Sequence, residues 1–275
     1  MSRNSTNRKR AFADVVSIDA WHDRFDGKRS RVDLHADVVF GTARVGGEID
    51  APIRFRLSVK RAEIVVVIPD TEPVSVTPQS VARDLKEPQG RLTEIIEQKA
   101  EMNAKANLVL STEPLKLNAS ASAGSGMKKA TSRSRKLKVS STIRFMTVTT
   151  SKTEEGYYRW LVRPAAAAVL DGSPWDAVKE PRLKLVDRRK DRSKGIPPTV
   201  RVEVRCRRED IVIEDLEVKD AGIWDMAKRR LGFKNRMAAA ISYIRDRLSE
   251  EGLEVDNIED VFGKVTLGSV TPETL

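Results

Sequence analysis

Leu115-Lys-Leu-Asn-Ala-Ser-Ala-Ser-Ala123 and Leu137-Lys-Val-Ser-Ser-Thr-Ile-Arg-Phe145 both alternate apolar and polar residues. Period two is the signature of a strand with one face on a core and the other in water. Small residues close the first segment at Ala119-Ser-Ala-Ser-Ala-Gly-Ser-Gly126, and a basic run follows: Lys128, Lys129, Arg133, Arg135, Lys136 and Lys138. The expectation is two paired strands, 115–145, around a flexible basic loop at 119–136, because the connection is long for a hairpin.

The same period recurs outward from this stretch. Val32, Leu34, Ala36, Val38 and Phe40 alternate with Asp33, His35 and Asp37. Ile53, Phe55, Leu57 and Val59 alternate with Arg54, Arg56, Ser58 and Lys60. Ile64-Val-Val-Val-Ile68 is continuously β-branched, so both faces of that strand are expected to be buried. Downstream, Tyr157–Val162, Leu183–Leu185, Val200–Cys206 and Ile211–Val218 read as further strands, with Tyr158, Trp160 and Val162 in the core. A charged loop, Arg188-Arg-Lys-Asp-Arg-Ser-Lys-Gly195, lies between two of them.

Helical spacing is read in three places. Val15, Val16, Ile18, Trp21 and Phe25 suggest a short docked helix, and Arg91–Ala104 a longer one. After Asp220, a helix capped by that residue runs to about Leu231. A second places Phe233, Met237, Ile241, Ile244 and Leu248 on one face, up to Gly252. The resulting fold class is α+β and β-dominated: an antiparallel β-sandwich-like core with a C-terminal helix pair. The expected organisation is a basic, largely flexible arm over 1–30, a β-rich domain over 31–219, and a helical segment over 220–275 packed on it.

The net charge is +10 and charged residues make up 33% of the chain. That balance favours an anionic partner, either nucleic acid or an acidic membrane face. The single cysteine, Cys206, excludes an internal disulfide framework and a thiolate-rich zinc site. It shares a strand face with Val200, Val202 and Val204 and reads as a core thiol. No apolar stretch has spanning length and no signal-peptide core is present, so a cytoplasmic location is expected.

Three chemistries fit these patterns. The first is phosphate contact by the bunched cations Lys128, Lys129, Arg133, Arg135, Lys136, Lys138, Arg188, Arg189, Lys190, Arg192 and Lys194. The strand-face cations Arg54, Arg56, Lys60, Arg201, Arg205 and Arg207 would assist them, and either the face bearing Tyr157 and Arg159 or that bearing Tyr158 and Trp160 could stack bases. The second is a metal-dependent enzyme using Asp33, His35 and Asp37, which alternate on one face about 6–7 Å apart. The third is a membrane-active amphipathic hairpin at 115–145. The preferred reading is a non-catalytic nucleic-acid-associated binding or accessory protein, a subunit of a larger assembly. It needs no cofactor or metal, and its rival partners are an anionic membrane and other protein subunits.

Overall fold

The computed structural model describes residues 7–26, 28–47, 53–83, 90–98, 135–143, 146–165, 167–191, 196–218 and 233–275. In chain order the strands are β1 (Arg8–Arg10), β2 (Val16–His22), β3 (Arg31–Phe40), β4 (Ala43–Gly46), β5 (Ile53–Val59), β6 (Ala62–Val67), β7 (Val74–Val76), β8 (Gly90–Gln98) and β9 (Arg135–Ile143). They continue with β10 (Met146–Lys152), β11 (Tyr158–Pro164), β12 (Leu183–Asp187), β13 (Arg201–Arg207), β14 (Ile211–Val218), β15 (Lys264–Val270) and β16 (Glu273–Thr274). Helix α1 (Phe233–Glu250) lies between β14 and β15. The chain is β-dominated and its sheets are antiparallel, apart from the short parallel pairing of β16 with β2. Among the described residues no helix is long and apolar enough to cross a membrane.

Met1–Gln89 and Arg144–Leu275 form one compact unit, and Gly90–Ile143 a second. The first is sandwich-like. Its six-stranded sheet runs β1-β15-β13-β6-β11-β10, its five-stranded sheet β16-β2-β3-β12-β7, and a three-stranded sheet β14-β5-β4 completes it. Alternation does what the sequence implies: Val32, Leu34, Ala36, Val38 and Phe40 are all buried, as are Phe55, Leu57, Val202, Val204 and Cys206. Trp160 and Trp175 meet edge to face inside, 6.3 Å between centroids. Each indole donates to a backbone carbonyl, Trp160 to Ala82 and Trp175 to Ala36, so neither N–H is left unpaired in the core. Gly268 lies so near the facing layer that a Cβ there would meet Ile18 Cγ2 at 3.1 Å. On α1, Ala240, Ile244 and Leu248 are buried, and Tyr243 packs edge-on against Phe55.

Several expectations are overturned. The stretch containing Val15–Phe25 is strand β2, not a helix. Val16, Ile18 and Ala20 also alternate, and antiparallel pairing with β3 satisfies the backbone along its length. Residues 8–25 therefore do not form a flexible arm. They supply two strands and the buried side chains of Phe12, Val15, Val16, Ile18, Ala20 and Phe25. The helix expected at Arg91–Ala104 is replaced over Gly90–Gln98 by β8, where β-branched Thr93, Ile95 and Ile96 favour an extended chain.

β8 takes β9 as its partner, with Leu92 opposite Ser141 and Ile96 opposite Leu137. The segment read as a strand from Leu137 to Phe145 is β9 up to Ile143, and the next strand, β10, takes a different partner, β11. The first segment, 115–123, lies outside the described residues. So does the first member of the helix pair, 220–231, and α1 is the single α-helix among those described.

Candidate nucleic-acid interface

The basic residues expected to meet phosphates separate into distinct environments. Lys128, Lys129, Arg133, Arg192 and Lys194 lie outside the described residues. Arg135, Lys136 and Lys138 belong to strand β9 rather than to a loop, their backbones opposite Gln98, Glu97 and Ile95. Arg188 and Lys190 are exposed after β12.

Arg189 has a structural job. Its Nη2 donates to Asp187 Oδ2 at 2.8 Å and its Nη1 to the Ile196 carbonyl at 3.0 Å, while its backbone N–H caps Asp187 Oδ1. Asp187 is buried, so this guanidinium neutralises a carboxylate that water cannot reach. The hydrogen bond to Asp187 is also the main reason its pKa is raised further.

Arg56 is likewise matched, and Arg54 faces an acidic residue. The register sets Arg54 opposite Glu217 and Arg56 opposite Glu214. Arg56 Nη2 lies 2.8 Å from the Glu214 carboxylate, with Asp215 at 3.6 Å. Arg8 bridges Asp19 and Glu273, tying β1 to β2 and β16.

The remaining strand cations converge. Tyr158, Trp160, Val162, Ile64, Val66, Val202, Val204 and Cys206 point inward from the six-stranded sheet, so their neighbours along each strand point outward. Register then sets Arg159 beside Val65 and Glu203, and Leu161 beside Glu63 and Arg205. Arg163 follows two residues on, opposite Thr147. Arg207 lies opposite Lys264, and Lys9 opposite Ser269. Arg159, Arg163, Arg201, Arg205, Arg207, Lys264 and Lys9 thus share one face with only two carboxylates among the described residues of these strands, Glu63 and Glu203. Hydroxyls from Thr147, Thr149 and Ser151 flank them.

This face has internal order. Glu203 accepts from Arg205 Nε at 2.7 Å and pairs with Arg201 on its other oxygen. Arg159 donates to Glu63 at 2.9 Å and to Ser151 Oγ at 2.8 Å. Val65 and Leu161 are the apolar residues on this face, and Val65 is fully buried. Exposed Glu155 has its carboxyl held low, first by a hydrogen bond from Thr153 and its own N–H, and further by Lys264 and Arg205.

Two clefts indent this face. One, of about 210 Å³, is lined by Lys9, Arg201, Glu203, Thr266 and Ser269 among others. The second, about 240 Å³, lies at the other end of β13 between Arg61, Glu63, Arg159, Arg163 and Arg207, with Asp210 at its edge. Arg61 is held there by Asp210 at 2.6 Å and Glu209 at 2.7 Å. Among the described residues Arg163 pairs with no carboxylate, and Arg207 has Glu209 only at 3.7 Å.

Asp33, His35 and Asp37 share the solvent side of β3 as expected, and each has its own surroundings there. Asp33 faces Lys184 at 3.6 Å. His35 stacks on Trp21 with centroids 5.3 Å apart, and its Nδ1 donates to the Ala177 carbonyl at 2.7 Å. Asp37 sits opposite Asp19; burial first, then Asp19 and Asp176, push its carboxyl upward. Among the described residues no group of three His, Cys, Asp or Glu is arranged to hold a metal ion. Cys206 is buried, and burial pushes its thiol well up, which suits a core residue and not a nucleophile.

Strand alternation already marks Arg159, Arg201, Arg205 and Arg207. Arg163 was discoverable by continuing the same period two residues further. Lys264 and Lys9 were not, because β15 and β1 lack a strand signal of their own. A comparison with known protein families finds no matching model, and a search of curated proteins finds no matching relative.

Proposed function

We propose that this chain is a non-catalytic nucleic-acid-associated binding or accessory protein that contacts phosphates. The observation supporting this reading is the gathering of Arg159, Arg163, Arg201, Arg205, Arg207, Lys264 and Lys9 on one outer sheet face. β13 carries Arg201 to Arg207 over about 20 Å, enough to follow several consecutive phosphates. Cations held this way form a preorganised surface, and each one that meets a phosphate releases counterions. The basic stretches at 128–138 and 188–194 extend the same chemistry. The strands of this face present no aromatic outward, so recognition is by backbone and largely independent of sequence.

The test is an anisotropy titration of labelled duplex and single-stranded DNA and RNA across a salt series. Replacing Arg163 and Arg207 together by Gln spares the pairs of buried Glu203 and half-buried Glu63. It is expected to leave the melting temperature unchanged and to flatten the duplex salt slope by about 2. An unchanged slope would remove this face from the binding surface.

A second reading draws on β8 and β9. Each is nine residues long and together they belong to their own compact unit. Nine residues is near the ~9–11 of a membrane-crossing strand. On that reading the protein releases dye from anionic vesicles, and locking β8 to β9 changes the release.

A further inference from the structure

We infer that the turn Asp260–Gly263 and the arginine cleft beside it form a subsite for single-stranded nucleic acid, with a base on Phe262 and the adjoining phosphate on Arg163 and Arg207. This rests on the nucleic-acid reading above and assigns it a strand preference. Phe262 is 67% exposed and Val261 54%, unusual for large apolar side chains. They are not loosely held.

Asp260 accepts from the Phe262 N–H through Oδ1 and from the Gly263 N–H through its carbonyl, both at 3.0 Å. The Asp260 N–H donates to the Asn257 carbonyl at 2.9 Å. Gly263 is required, because a Cβ there would fall 2.0 Å from the Asn257 carbonyl oxygen. A turn built this way presents an aromatic ring to solvent from a rigid base.

The turn is fastened to the cleft. The Glu209 N–H donates to the Val261 carbonyl at 3.0 Å, and the Arg208 N–H to the Gly263 carbonyl at 2.9 Å. The Glu209 carboxylate is the group that holds Arg61 and reaches Arg207. The turn is therefore hydrogen-bonded to the segment that follows Arg207, and Arg163 lines the same cleft as Arg207. In a duplex the base faces are stacked and inaccessible, leaving the phosphates; a single strand offers both partners at once.

The experiment titrates the full chain and its Phe262→Ala and Phe262→Trp variants with oligo-dT, with a duplex of equal length, and with anionic vesicles. Phe262→Ala is expected to weaken oligo-dT binding roughly 5- to 150-fold and leave duplex binding unchanged, with Phe262→Trp restoring it. Oligo-dT affinity unchanged in Phe262→Ala, with normal binding by the parent, overturns the subsite while the phosphate-binding reading stands. Equal loss on duplex and oligo-dT without rescue by Trp assigns Phe262 to folding and also overturns it. Loss confined to vesicles assigns the turn to a membrane. A parent chain that binds neither nucleic acid overturns both readings.

Discussion

Glu203 carries a carboxylate whose side chain is 4% exposed on the outer face of β13. Its ionised form is tolerable because Arg201 and Arg205 approach it from both sides, Arg205 Nη2 at 2.6 Å. Arg205 is itself mostly covered, so screening by water is weak there. Replacing Arg205 by Ala leaves half of that compensation missing and is expected to cost about 1–3 kcal/mol in urea denaturation. Adding Glu203→Gln to the same chain should recover most of the loss, since the uncompensated charge disappears. Independent, additive effects of the two substitutions would show that the pair is not coupled. This distinguishes the inner arginines, which hold the sheet face together, from Arg163 and Arg207, which have no carboxylate closer than 3.7 Å among the described residues.

At the scale of elements, β6 and β9 show two ways a pattern becomes a structure. The β-branched run in β6 is buried on both faces. β9 alternates as an amphipathic strand should, but alternation names no partner. The register assigns it to β8, with Glu97 opposite Lys136. Opposed residues in an antiparallel pair have Cα atoms about 4.5–5.5 Å apart, within disulfide range. Glu97→Cys with Lys136→Cys is therefore expected to form a disulfide on mild oxidation, detected by non-reducing electrophoresis after proteolysis. The buried Cys206 should not compete for it. Failure to cross-link here, with success between positions in 115–123 and 137–145, would restore the hairpin suggested by sequence.

For the whole molecule, the division into two units makes a prediction about folding and binding together. β7 and β10 flank residues 90–143 in the chain, and both belong to the first unit. Replacing 90–143 by a short Gly-Ser linker is expected to leave a folded protein with a cooperative thermal transition, because loop length is thermodynamically cheap. If the arginine face is the main phosphate surface, this shortened chain keeps most of its salt-sensitive DNA binding. If Lys128, Lys129, Arg133, Arg135, Lys136 and Lys138 dominate, binding falls with their removal. The same titration series reads both outcomes.

Much of the strand content was legible because alternation is a local consequence of having one wet and one dry face. Residues 31–40 and 53–59 needed nothing beyond their own composition to show which side chains turn inward. The helical face of α1 was legible for the same reason, since Ile244 and Leu248 recur at a helical interval. Tertiary structure decided where local periods compete or fall silent. Val16–His22 satisfies both a helical and a strand spacing, and hydrogen bonding to β3 settles it as a strand.

Lys264-Val-Thr-Leu-Gly-Ser-Val270 does not alternate cleanly, because the register shifts at Val204/Arg205 where it pairs with β13. Yet β15 lies between β1 and β13 inside the largest sheet. The site divides along the same line. That the chain is basic, and that Arg201, Arg205 and Arg207 share a strand face, follows from sequence. That Arg163 and Lys264 join them, and that Arg189 is spent on Asp187, does not, because pairing between distant strands sets which charges become neighbours and which are neutralised.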